Sequence, residues 1–273
     1  MGSSREGGAC RGGSVRPREG SAAPGRRWAR LEAPAKLTLS LRVTGVRDDG
    51  YHLIDAEMVT VDLADTLEIG PGDRLEVVGA TGAPVPADGT NLVSRALRAV
   101  DRRAAVRLVK RIPSGAGMGG GSADAAAVLR WAGCEDLALA ARLGGDVPFC
   151  LVGGRARVGG IGERVEVVPL GGLEGAPFTL LTPPFGVPTA AVYKEWDRLG
   201  GPLGDHCNDL EPAALAVEPR LAHWRDELGE ATGRTPLLAG SGSTWFVPGE
   251  HPGPHRVVVR AISPAEPRRR LPA

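Results

Sequence analysis

Residues 113 to 132 read PSGAGMGGGSADAAAVLRWA, and no other stretch limits the fold of this chain so tightly. Five glycines fall between Gly115 and Gly121, and an alanine-rich run follows at once. So bare a loop lets backbone N–H groups turn inward around an anion, because no Cβ blocks the approach and positive φ is tolerated. A helix opening directly behind it adds free N–H groups and the positive end of its dipole. The pattern predicts a phosphate cradle at a loop-to-helix junction; a plain flexible turn before helix-favouring alanines is the alternative. The stretch contains a literal G-x-G-x-x-G at Gly115, Gly117 and Gly120. A dinucleotide fingerprint also needs a strand running into the first glycine and another strand after the helix. Here Pro113-Ser114 intervenes, and the helix is followed by a second helical run, CEDLALAARLGG. No Gly-Lys-Ser/Thr is present, which excludes a Walker loop, and the partner motifs of a protein-kinase loop are missing downstream.

Around this loop, strands and helices mix without regular βαβ alternation, which predicts an α+β chain. Leu37, Leu39, Leu41 and Val43 alternate with Thr38, Ser40, Arg42 and Thr44, the pattern of a half-buried strand. Asp49-Gly50 marks a turn, and LIDAEMVTVDLADTLEI alternates again. RLEVVGA reads as a strand, DGTNLVSRALRAVDRRA as a helix capped near Thr90 or Asn91, and VRLVKRI as a strand. The helix after the loop helix is expected to end at Gly144-Gly145, with β-structure resuming near Phe149. A second unit follows: a strand in PFTLLTPP, a helix in PTAAVYKEWDRL, one or two helices in NDLEPAALAVEPRLAHWRDEL, strand–glycine turn–strand in TPLLAGSGSTWFVPG, and a last strand in RVVVRAI. NDLE, Asn208 to Glu211, reads mainly as a helix N-cap. The domain reading is a disordered tail over 1–27, a first domain over 28–168 and a second over 169–266.

The net charge of +1 gives no basis for a nucleic-acid partner. Cys10, Cys134, Cys150 and Cys207 are far apart and form no CxxC pair, so neither a zinc site nor a disulfide framework is indicated, and a cytoplasmic setting is the default. No stretch approaches the roughly 20 apolar residues that span a bilayer.

The loop PSGAGMGGGSADAA resembles the central motif of the GHMP kinases, Pro-x-x-x-Gly-x-Gly-x-x-x-Ser. Two further signatures of that family have counterparts in PAKLTLSL upstream and LLAGSGSTWF downstream, so that the likeness runs from Pro34 to Phe246. It implies a two-domain α+β fold, with an N-terminal ribosomal-protein-S5-like nucleotide-binding domain and a C-terminal ferredoxin-like α/β sandwich. ATP and Mg²⁺ are the implied cofactors, and a monomer or weak homodimer acting on a small molecule is expected, without nucleic acid or membrane. The segments TGVRDDGYH, DLADTL and ARLGGDVPFCLVGG are most similar to family members that phosphorylate the 2-hydroxyl of a cytidine-diphosphate-linked methylerythritol, in non-mevalonate isoprenoid synthesis. The rivals are a kinase of the same family for homoserine, mevalonate or a sugar, and a non-catalytic ATP-binding sensor.

The resemblance places catalytic roles on Lys36 and Asp146. A carboxylate within reach of an attacking hydroxyl can take its proton, and an ammonium offsets charge on the transferring phosphoryl group. As residues alone, Lys36 could be an exposed strand-end charge and Asp146 a helix cap before Pro148. The implied nucleotide cradle is Pro113, Ser114, Gly115, Ala116, Gly117, Met118, Gly119, Gly120, Gly121, Ser122 and Ala123. Ser122 can cap the helix or meet Mg²⁺ and phosphate, and Asp124 reads as dipole support in the first turn; the metal's ligands stay unassigned. Tyr51, His52 and Tyr193 are implied at the cytidine end of the substrate; as residues alone, Tyr51-His52 reads as the wet end of a hairpin and Tyr193 equally well as a core tyrosine. Thr38 stands near the substrate where the family commonly has asparagine, and a hydroxyl replaces one amide hydrogen bond, not two. The link from the loop helix to LGGDVPF is shorter than the family's usual one.

Overall fold

The computed structural model describes residues 28–204 and 207–263. The tail expected over 1–27 and the last residues of the expected second domain, 264–266, lie outside the described residues.

A long antiparallel hairpin organises the first half. β1 (Ala29–Val46) pairs along its whole length with β2 (His52–Gly70), joined by the turn at Asp49-Gly50. The strand read at β1 is present, but beside the glycine loop its polar face is not wet: Lys36 and Thr38 are buried alongside Leu37, while Thr44 farther along is exposed. The core covers one face of the strand and the glycine loop covers the other. β3 (Arg74–Val78), α1 (Leu92–Ala99) and β4 (Ala105–Val109) follow, with β3 parallel to β4. The Asn91 side chain caps α1 by accepting from the Val93 N–H at 2.8 Å.

The loop helix is α2 (Gly120–Trp131), and residues 123–129 are all buried. Its alanines let it lie close under the sheet. Then come α3 (Leu137–Leu143), α4 (Val147–Val152), β5 (Arg155–Gly160) and β6 (Arg164–Val168). The sheet runs β3-β4-β2-β5-β6, with β1 on β2. The strand expected near Phe149 is instead α4: Pro148 sits in its first turn, and β-structure resumes only at Arg155. VPFCLV is a short apolar run whose periodicity does not separate strand from buried helix, and proline favours a helix start.

The second half contains β7 (Pro177–Leu181), α5 (Thr189–Arg198), α6 (Glu211–Val217), α7 (Leu221–Thr232), β8 (Leu237–Leu238), β9 (Trp245–Pro248) and β10 (Arg256–Arg260). Its sheet is antiparallel throughout, in the order β10-β7-β9-β8. The N-cap of α6 is Leu210, inside the NDLE segment, and Asn208 supports the helix entry, its Oδ1 accepting from the Leu210 N–H at 3.0 Å. The Asn208 amide nitrogen also donates to the carbonyls of Leu238 and Gly240, at 2.9 and 2.7 Å, and pins the glycine turn. The buried Asp209 accepts from Arg42, from the Val43 N–H and from the Gly204 N–H, tying the second half to β1. One apolar cluster gathers Leu37, Val59, Ile112, Ala116 and Met118 with Phe178, Leu180 and Phe246. The loop's two larger side chains are therefore anchored in a core that both sheets share.

Candidate active site

The glycine loop is held by its carbonyls. The Gly115 carbonyl accepts from the Val187 N–H at 3.1 Å, the Ala116 carbonyl from Thr244 at 3.2 Å, and the Met118 carbonyl from Lys36 at 3.0 Å. These three donors come from three separate segments. No N–H from Gly115 to Gly119 donates to another group among the described residues. A row of fixed donors facing a cleft beside a helix N-terminus is an anion nest. Two glycines are required by geometry. At Gly117 (φ +76°) a Cβ would lie 1.9 Å from the Ala239 carbonyl oxygen. Gly119 (φ +68°) is the N-cap of α2, and a Cβ there would press on Lys36 at 3.0 Å.

The loop forms one wall of a cleft of about 410 Å³, which Pro113 through Ser122 all line. Ala116 and Met118 direct their side chains into the core and offer the cleft only backbone. Ala123 is buried under the helix, with its N–H on the Gly119 carbonyl, and is not part of the cleft wall. Ser122 lies in the first turn of α2, and its hydroxyl is not used as a cap.

Lys36 and Asp146 meet across this cleft, Nζ to Oδ2 at 3.4 Å. Neither plain alternative describes them. Lys36 is 3 % exposed, held at a β-bulge after Pro34, and its Nζ donates to the Thr38 hydroxyl at 3.0 Å. Asp146 occupies the N-cap position of α4 but makes no capping bond, so its carboxylate is free to face Lys36. Thr38 thus acts on the lysine within the cleft wall.

Sequence reasoning missed a buried triad at the same wall. Lys110 donates to both Asp65 and Asp124, the latter at 2.8 Å. Asp124 lies past the first turn of α2, so it does not serve as dipole support there; one of its oxygens, Oδ1, has no hydrogen-bond partner among the described residues. Burial pushes its carboxyl up to about 7, against the pull of the Lys110 ammonium. For Lys110 burial acts downward, but the two carboxylates outweigh it and hold the ammonium above its ordinary range. Asp65 also accepts from the Arg111 and Ile112 N–H groups at 2.5 and 2.9 Å, fixing the entry to the loop. The signal in the sequence was one lysine inside the apolar run VRLVKRI.

A second cleft, of about 580 Å³, opens on the other side of Asp146. It brings together the expected Tyr51, His52 and Tyr193, with the His52 and Tyr193 rings 4.7 Å apart. Tyr51 stands at the rim, 59 % exposed. Burial, with the nearby Asp146 charge, raises the Tyr193 phenol above its ordinary range and keeps it neutral. Lys194 and Asp197, which sequence reasoning did not single out, complete the wall.

Residues 91–154 match the family described as GHMP kinases N terminal domain. The chain is 39 % identical to a 4-diphosphocytidyl-2-C-methyl-D-erythritol kinase of Paramagnetospirillum magneticum, over 79 % of this chain and 87 % of the relative. It is 38 % identical to the protein of the same name from Dinoroseobacter shibae, over 92 % and 96 %. Among solved structures it is similar to a 4-(cytidine 5'-diphospho)-2C-methyl-D-erythritol kinase, with a TM-score of 0.63, 33 % identity, and 82 % and 91 % of the two chains covered. A homoserine kinase from Cytophaga hutchinsonii, 18 % identical with a TM-score of 0.56, shares the fold over 89 % of this chain and 97 % of its own.

Proposed function

The chain belongs to the 4-diphosphocytidyl-2-C-methyl-D-erythritol kinase family of GHMP kinases, and from that premise we propose that it transfers the γ-phosphoryl group of ATP to the 2-hydroxyl of 4-diphosphocytidyl-2-C-methyl-D-erythritol. This step makes the 2-phosphate and ADP, on the non-mevalonate route to isoprenoid precursors. The observation that carries the reading is the row of undonated N–H groups from Gly115 to Gly119, set beside the Lys36–Asp146 pair.

Phosphoryl transfer asks for positioning and charge stabilisation more than for covalent chemistry. The loop N–H groups and the α2 N-terminus hold the triphosphate. The substrate hydroxyl gives its proton to the Asp146 carboxylate as it attacks. Lys36, held by Thr38 and the bulge, brings positive charge to the reacting oxygens without reorganising. Among the described residues no cluster of three or more His, Cys, Asp or Glu could hold a metal ion. Mg²⁺ takes few protein oxygens when it rides on phosphates, and the uncapped Ser122 hydroxyl on the cleft wall suits that role. Bound there, Mg²⁺ would neutralise phosphate charge. Tyr51, His52 and Tyr193 take the cytidine end of the substrate, so the two clefts divide the donor from the acceptor. No helix among the described residues is long and apolar enough to cross a membrane, and we place the reaction in the cytoplasm, where ATP is supplied.

The test is a substrate panel. Purified protein with ATP and Mg²⁺ should release ADP with the cytidine-diphosphate-linked methylerythritol and remain silent with homoserine and mevalonate. Activity with either of the latter alone contradicts the substrate reading; ATP binding without turnover of any of them supports a sensor instead.

A further inference from the structure

We propose that Asp197 is a positioning residue for base recognition, acting through His52. The proposal rests on reading the second cleft as the cytidine site. His52 opens β2 next to an exposed hairpin turn, yet its side chain is only 10 % exposed. Three residues on one face of α5 enclose it. The Tyr193 ring lies 4.7 Å away, the Trp196 ring meets it edge-on at 5.6 Å, and Asp197 Oδ1 lies 2.8 Å from Nε2. Trp196 is itself fixed, its indole N–H donating to the Pro202 carbonyl at 3.0 Å. At the turn the other side-chain bonds are local, Arg47 to Asp49 and the Tyr51 N–H to Asp49. His52 is therefore the side chain that fastens the hairpin tip to α5.

The bond also sets what the imidazole can read. A carboxylate only accepts, so Nε2 carries the hydrogen, and in the neutral ring Nδ1 keeps its lone pair. Cytosine carries an amino donor where a uracil-type base carries a carbonyl acceptor. An imidazole held in this tautomer favours the amino-bearing pyrimidine and disfavours the other. Without Asp197 the ring is free to change tautomer and to turn, and both the affinity and the preference decline.

The test measures kcat and KM for the cytidine-diphosphate-linked substrate, for its uridine counterpart and for ATP, in Asp197→Ala, Asp197→Asn, His52→Ala and the Asp197→Ala/His52→Ala double variant. Losing a hydrogen bond to a charged group predicts a KM for the cytidine substrate raised about tenfold in Asp197→Ala. Its kcat and its KM for ATP should stay within about twofold, and its preference over the uridine compound should fall by a similar factor to the KM change. Asp197→Asn, whose amide oxygen still accepts from Nε2–H, should recover most of the loss. In the double variant Asp197→Ala should add nothing to His52→Ala. An unchanged KM in Asp197→Ala beside a raised one in His52→Ala overturns the proposal and leaves the cytidine site standing. Additive effects in the double variant also overturn it. If neither single variant moves the KM, the cytidine reading of the cleft fails with it.

Discussion

The glycine loop and the slot between β2 and α5, the proposed sites for phosphate and base, lie on two sides of Asp146 and are made of opposite materials. The loop works through its backbone: carbonyls tied to three segments, N–H groups left open, side chains either absent or sunk in the core. The slot works through side chains carried by β2 and α5, residues about 145 positions apart in sequence. A backbone device tolerates no added atom, whereas a side-chain device can be trimmed one contact at a time. The first should fail by losing the fold or the nucleotide, the second by losing affinity and selectivity for the acceptor.

Gly117→Ala should break the loop outright. Its Cβ meets the Ala239 carbonyl at 1.9 Å in a left-handed backbone, and overpacking plus strain should lower stability by about 3 kcal/mol and abolish ATP binding. Gly133→Ala, also at positive φ (+71°) but with nothing within 4 Å, isolates the backbone contribution and should cost about 1 kcal/mol, as urea denaturation will measure. In the slot, Tyr193→Ala should raise the KM for the cytidine-linked substrate about tenfold by removing a stacking face, while kcat and ATP affinity hold. Tyr193→Phe keeps the ring and should stay close to wild type; an equal loss in both variants would mean that the phenol hydroxyl, not the ring, does the binding.

Between the two regions stands Thr38. Thr38→Val removes the hydrogen bond that steadies Lys36 and should lower kcat about fivefold with little change in either KM. Thr38→Asn restores an acceptor and should recover part of that loss. The smallest effect is a pH dependence. Burial pushes the Asp124 carboxyl up to about 7 in the folded chain, from an ordinary value near 4 that it regains on unfolding. The folded state therefore holds this proton more tightly, and the stability that it contributes is complete at low pH and drains as pH rises to 7 and beyond. Asp124→Asn carries no such titration, so its Tm relative to wild type should shift upward from pH 5 to pH 8. A difference that is flat over that range would remove Asp124 from the list of groups that titrate on unfolding.

The same contrast explains what the sequence could disclose. Glycines at 115, 117 and 119 are readable because only a backbone requirement makes so bare a stretch useful. The β1–β2 hairpin was legible from period-two alternation and Asp-Gly, but the burial of Lys36 and Thr38 was not, since alternation cannot reveal that a loop covers the polar face. VPFCLV was misread because six apolar residues fit a strand or a buried helix equally well. Asp197 and Asp65 escaped notice because each bonds to a partner distant in sequence, and spacing holds no trace of it; Asn208 was read only at the entry to a helix, and its bonds to the distant glycine turn were not legible.

The most direct measurement pairs ADP release with calorimetric titration of ATP in Asp146→Ala. If Asp146 takes the hydroxyl proton while the loop alone holds the nucleotide, turnover should fall by about a thousandfold and the Kd for ATP should stay within about threefold of wild type. Turnover within tenfold of wild type, or a loss of ATP binding to match the loss of turnover, would contradict that division of labour.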